Sequence, residues 1–140
     1  MKYYIATSIK RAKEHNQIRD ALNNLGHKIT YDWTLHGSVK NISLERLKEV
    51  GEDMIDAIKE ADFIVVLLPG GKGTHTELGA SIAYNKPVFV HALDANLMKL
   101  GDQTCAFYFH RLIKPVNCSL EKGAEFINHE LETLFFSSKL

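Results

Sequence analysis

The 140-residue chain predicts a single α/β domain, a doubly wound, mostly parallel five-stranded sheet with helical crossovers. Three observations carry that prediction. Short apolar runs alternate with longer stretches whose apolar residues recur at helical spacing, the pattern of strand-helix-strand units. The run Phe63 to Leu68 is apolar at every position, as a central parallel strand covered on both faces requires. The length is near the modal domain size, enough to bury roughly two-thirds of the unfolded surface without disulfides or metal.

Each element follows in order along the chain. Lys2 to Ala6 is the first strand. From Ser8 to Leu25, Ala12, Ile18, Leu22 and Leu25 mark one helical face, and Gly26 supplies the stop. His27 to Trp33 reads as the second strand. Leu35 to Asn41 is a polar loop, and Ser43 caps a helix to about Glu60 with Leu44, Leu47, Met54, Ile55 and Ile58 as its buried face. The third strand, Phe63 to Leu68, ends at Pro69-Gly70-Gly71. Thr74 to Tyr84 is a short helix stopped by Asn85, and Pro87 to Ala92 the fourth strand. Asn96 to Leu100 forms a helical turn, Cys105 to Phe109 the fifth strand, and Ser119 to Phe136 a final helix. No linker or repeat divides residues 1–140. The default order for this size is 2-1-3-4-5, a flavodoxin-like or Rossmann-like sheet. Ligands then bind where Thr7 to Arg11 and Pro69 to Thr74 leave strands one and three in opposite directions.

Composition excludes several classes. Seventeen basic residues balance 17 acidic ones, so no global field attracts a nucleic acid polymer or an anionic membrane. The longest strongly apolar run is far below the ~20 residues of a membrane span, and the start lacks a signal peptide's apolar stretch, so a cytoplasmic protein is expected. Cys105 and Cys118 have no CxxC spacing, and the seven histidines form no HxH or HxxxH pair. Neither a disulfide framework nor a metal site is expected.

Two loops carry the chemistry. In Pro69-Gly70-Gly71-Lys72-Gly73-Thr74-His75-Thr76-Glu77, the glycines let backbone approach a ligand, and the helix start behind them offers free N–H groups and partial positive charge. A second reading is a plain tight turn, with Thr74 and Glu77 as a T-x-x-E capping box. In Thr7-Ser8-Ile9-Lys10-Arg11, Ser8 is a natural N-cap, yet Lys10 and Arg11 put cations where the helix dipole disfavours them. An anion relieves that conflict; side chains extended into water are the alternative. The two loops meeting at one crevice point to phosphate, held by Ser8, Lys10, Arg11, Gly73 and Thr74, with Ile9 and Gly71 beside them. Of the acidic set Glu52, Asp53 and Asp56 on the second long helix, with Asp62 opening strand three, Glu52 and Asp56 read as solvated helix faces; Asp53 is set apart only by a family resemblance.

These residues together resemble the nucleoside 2-deoxyribosyltransferase family and its smaller relatives, the nucleoside 5′-monophosphate N-glycosidases. The resemblance rests on Tyr4-Ile5-Ala6-Thr7-Ser8-Ile9-Lys10, on Asp53 ahead of Ala61-Asp62-Phe63, and above all on Glu77-Leu78-Gly79 followed by Ala80, Ala83 and Lys86-Pro87. It implies Glu77 as nucleophile at the anomeric carbon, Tyr4 as the group orienting it, and Asp53 as the carboxyl assisting base departure, with no cofactor. Cleavage of an N-glycosidic bond passes through an oxocarbenium-like state and needs one carboxylate at that carbon and a proton for the leaving base. Asn96-Leu97-Met98 resembles a segment that reaches a neighbouring subunit's site, implying at least a homodimer. Gly70-Gly71-Lys72 stands where transferases of free nucleosides often carry an acid, which favours a phosphorylated substrate. The same loop also resembles the PGGxGTxxE motif of nucleotide phosphoribohydrolases, which share the reaction class. Trp33, with Asp32 and His36, either stacks on a nucleobase or packs over the sheet edge. The leading expectation is hydrolysis of a (deoxy)nucleoside 5′-monophosphate to base and sugar 5-phosphate. Base exchange between deoxynucleosides and non-catalytic nucleotide binding are the alternatives.

Overall fold

Alternation along each strand sorts the side chains into two cores. In the structure, a computed structural model that describes residues 1–139 and the side chains of residues 1–134, β1 (Lys2–Ala6) and β3 (Phe63–Leu68) pair in parallel from Tyr3↔Phe63 to Ala6↔Val66. Tyr4, Ala6, Ile64, Val66 and Leu68 point to one face of the sheet, Tyr3, Ile5, Phe63, Val65 and Leu67 to the other, as a period of two dictates. The first face packs on α2 (Leu44–Glu60) and α3 (Lys72–Ala83) through Ala57, Ile58 and Leu78. The second packs on α1 (Ala12–Asn24) and α4 (Leu120–Lys139) through Ile18, Leu22, Ala124, Ile127 and Leu131.

The five strands are all parallel in the order β2-β1-β3-β4-β5, with β4 at Val88–Ala92, so the order predicted from the sequence holds. The chain leaves β1 and β3 toward opposite sides, and the switch point lies between their carboxyl ends. Helix stops also fall as expected: Gly26 takes φ +91° after α1, and Asn85 takes φ +59° after α3. None of the described helices is long and apolar enough to cross a membrane.

Two strands differ from expectation. β2 is only Lys28–Ile29, because the Asp32 side chain accepts from the Thr34 N–H at 3.0 Å and turns the chain into a 3-10 turn at Trp33–Leu35. β5 is Ile113–Pro115, paired from Val88↔Ile113, whereas Ala106–Phe109 is a 3-10 turn with Phe107 and Phe109 exposed. An aromatic run there has strand propensity, but the later segment fills the edge of β4. The α2 face is also shifted. Ser43 caps it as predicted, yet Leu44 and Leu47 are exposed, and Val50, Ala57 and Ile58 are the buried residues. The turn expected at Asn96 to Leu100 forms at Ala95–Met98.

Candidate active site

At the switch point a cleft of about 590 Å³ opens on the α2 and α3 side of the sheet. β1 delivers Thr7, Ser8 and Ile9 to its floor, and β3 delivers Gly71, Lys72, Gly73, Thr74 and Glu77 through the start of α3. Trp33 and the loop His36 to Lys40 form a third wall, and α2 the fourth with Leu47, Val50, Gly51 and Met54. The two loops are tied to each other. Thr7 Oγ1 donates to the Leu67 carbonyl at 2.8 Å, and Arg11 Nη1 donates to the Leu68 carbonyl at 2.8 Å, just before the cis Leu68–Pro69 bond.

The start of α3 leaves its first-turn N–H groups free of side-chain caps, the geometry that can receive an anion. Helix geometry begins at Lys72 with Gly71 as N-cap. The T-x-x-E capping box is not formed. Thr74 lies inside the first turn, buried, and the Glu77 carboxyl turns inward. His75 braces the turn instead, its Nδ1 at 2.8 Å from the Gly71 carbonyl and its Nε2 at 2.6 Å from the Tyr108 hydroxyl. The glycines divide by role. A Cβ at Gly70 would lie 2.5 Å from Thr74 Cγ2, so close packing demands that glycine. At Gly71 and Gly73 a Cβ would meet nothing within 4 Å, so the bare backbone there is open to the cleft.

One turn further, Glu77 is only 9% exposed and its Oε2 has no hydrogen-bond partner. Burial pushes its pKa up to about 7, against a lowering contribution from the Tyr4 hydroxyl. Tyr4 is fully buried, aimed at α3 by the alternation of β1, and its own pKa is raised by burial and then by Glu77. The phenol and carboxyl face each other, although no hydrogen bond of standard geometry joins them. A buried, unpartnered carboxylate is costly for a fold and is a common mark of a reactive site.

Residues 3–130 match the family described as nucleoside 2-deoxyribosyltransferase. The chain belongs to the nucleoside 2-deoxyribosyltransferase family. The chain is therefore an enzyme of the nucleoside 2-deoxyribosyltransferase-like class. Among solved structures, the chain is similar to a CMP N-glycosidase, BcmB, of Clostridium botulinum. That match has a TM-score of 0.59 and 18% identity and covers 91% of this chain and 98% of the other, a likeness of fold. It is also similar to a 2-deoxyribosyltransferase of Bacillus psychrosaccharolyticus, with a TM-score of 0.54 and 26% identity over 66% of this chain and 72% of that one. No curated protein matches the chain significantly.

In this member of the nucleoside 2-deoxyribosyltransferase family, the cleft gathers Ser8, Ile9, Trp33, Gly71, Gly73, Thr74 and Glu77, with Tyr4 directly behind Glu77. Asp53, Lys10, Arg11 and Asn96 do not line it. Helix α2 turns Val50, Gly51 and Met54 inward, and Asp53, about 100° around the helix from Met54, points past the cleft. Its charge acts on Tyr31, whose pKa is raised by burial first and Asp53 second. The Tyr31 hydroxyl lies 2.7 Å from His36 Nε2. Arg11 is buried and donates from Nη1 to the Leu68 carbonyl at 2.8 Å, so its side chain ties the two loops together rather than lining the cleft. Lys10 is exposed, and Asn96 lies exposed on the turn Ala95–Met98. Trp33 is 4% exposed and donates its indole N–H to the Ile5 carbonyl at 3.1 Å, so it supports the wall as much as it presents a ring.

The wall at Gly37 to Lys40 comes from the structure and not from any motif in the sequence. Val39, buried in an otherwise polar loop, is the one signal that could have placed it. Among the described residues Glu77 is the only carboxylate lining the cleft, and no His, Cys, Asp and Glu side chains are grouped to hold a metal.

Proposed function

We propose that the protein is a cytoplasmic N-glycosidase of (deoxy)nucleoside 5′-monophosphates, releasing free base and sugar 5-phosphate. The observation that carries this reading is the juxtaposition, in one cleft, of an uncapped glycine-rich helix start and the buried, unpartnered carboxylate of Glu77. The helix N–H groups of Gly73 and Thr74, with Ser8, Gly71 and Lys72, hold the phosphate and place C1′ over Glu77. The ionised Glu77 oxygen forms a bond to C1′ as the C–N bond breaks, and the base leaves with the bonding pair and takes up a proton. Water then attacks C1′, one proton is released, and the sugar 5-phosphate departs with Glu77 restored. Tyr4 orients the carboxyl and favours its ionised form. Asp53, facing Tyr31, is not placed to hand a proton to the base directly.

Base exchange between deoxynucleosides is the second reading, and likeness to the 2-deoxyribosyltransferase at 26% identity favours it. The glycines and Lys72 after Pro69 support the phosphorylated substrate instead. A purely binding role needs the loops alone and leaves the opposed Tyr4 and Glu77 without purpose. Incubation with adenosine, guanosine, cytidine and uridine 5′-monophosphates and their deoxy forms, followed by chromatography of free base, tests the proposal. Release is expected from at least one nucleotide and a loss of at least ~1,000-fold in Glu77→Ala, the scale on which a nucleophile contributes. No release from any of them, or undiminished release by the variant, would falsify it. Exchange of base from a deoxynucleoside, indifferent to phosphate, would shift the conclusion to the transferase.

A further inference from the structure

Gly51 lies well inside the 17-residue α2, where glycine is among the poorest helix formers. Two glycines have structural reasons: Gly26 takes φ +91°, and a Cβ at Gly70 would strike Thr74 at 2.5 Å; Gly79, exposed within α3 with nothing within 4 Å of a Cβ, lies outside the cleft lining. Gly51 has none of these. Its φ is outside the left-handed region, it is exposed, and a Cβ there would meet nothing within 4 Å. It does line the cleft, beside Val50 and near Leu47 and Met54. The folded chain gains nothing from the missing side chain except the space it leaves.

The cleft is chemically divided around that space. On one side the start of α3 and the β1 loop offer hydroxyls, a cation and free N–H groups. On the other, α2 offers carbon and bare helix backbone, with no charged group among its lining residues. A nucleotide sorts itself along such a division, phosphate to the polar side and planar base to the apolar one. We infer that Gly51 is the specificity-determining residue of the base subsite, its absent side chain admitting the flat face of a nucleobase against α2. The inference rests on the reading of the cleft as a nucleotide site.

Calorimetric titration of the full chain tests it, with the eight nucleotides above and ribose 5-phosphate as probes. Gly51→Leu introduces a good helix former on an exposed position and fills the space. Its affinity for the nucleotides that the parent binds falls at least tenfold, while ribose 5-phosphate, which has no base, binds within twofold of the parent. Gly51→Ala adds one methyl group and carries the test should the leucine variant not fold. It melts ~3 °C above the parent, as a better helix former in a domain of this size should, and loses at least threefold in nucleotide affinity alone. Parent-like nucleotide affinity in both folded variants, or an equal loss for ribose 5-phosphate, overturns the role of Gly51. A parent that binds no nucleotide overturns the reading of the cleft itself, and this inference with it.

Discussion

On the proposed mechanism Glu77 joins stability and activity in one side chain. Its pKa of about 7 lies above the ordinary 4.5, so between those values the folded protein holds a proton that the unfolded chain has lost. Stability from this group is full below pH 4.5, is lost as pH rises through 7, and the difference amounts to roughly 3 kcal/mol. A neutral isostere removes the penalty. Glu77→Gln is therefore expected to melt above the parent at pH 8 and to converge with it near pH 5, while turnover disappears; scanning calorimetry at both pH values checks it. The proposed nucleophile must be ionised, so parental kcat/KM is expected to rise with pH through about 7. Tyr4 lowers the Glu77 pKa, so Tyr4→Phe moves that rise to higher pH. A pH profile of Tyr4→Phe superimposable on the parent's assigns the phenol no part in tuning the carboxyl.

At the scale of elements, the helix start of α3 makes opposite demands on neighbouring glycines. Gly70→Ala drives a methyl group to 2.5 Å from the Thr74 side chain and should cost about 1–3 kcal/mol. Gly73→Ala meets no atom of the protein and is expected to keep the parental melting temperature or exceed it, yet to raise KM for a nucleotide by encroaching on the phosphate. Denaturation and steady-state kinetics on the pair separate packing from binding. How far the sequence revealed the site follows the same line. β3, the glycine loop and Glu77 were legible, because burial on both faces, backbone access and helix polarity are local in origin. Asp53 was placed one residue away from the helix face that enters the cleft, and a helix turns about 100° per residue, so no small error in phase is harmless. Arg11 read as a phosphate ligand because its partner, the Leu68 carbonyl, is 57 residues distant in sequence. β5 was misplaced because strand propensity at Cys105 to Phe109 is local, whereas the edge of β4 is awarded by tertiary pairing.

For the whole molecule, the stretch from Leu93 to Phe109 sits uneasily on a monomer. Leu93 is 70% exposed, Leu100 99%, Phe107 62% and Phe109 57%, and Asn96 lies on an exposed turn among them. Large apolar side chains clustered in one exposed stretch are an association surface more often than an accident. We propose that two copies meet there and that Asn96 enters the neighbour's cleft, which would complete a site whose own lining holds no asparagine. Sedimentation equilibrium should report at least twice the 15.8 kDa chain mass. The double substitution Leu100→Lys and Phe107→Lys, at exposed residues that do not line the cleft, should yield a folded monomer of unchanged melting cooperativity. If the neighbour supplies Asn96, that monomer loses turnover to the same extent as Asn96→Ala in the intact dimer, and combining the two changes causes no further loss. A monomeric parent, or a fully active monomeric variant, would leave the exposed segment without a catalytic role.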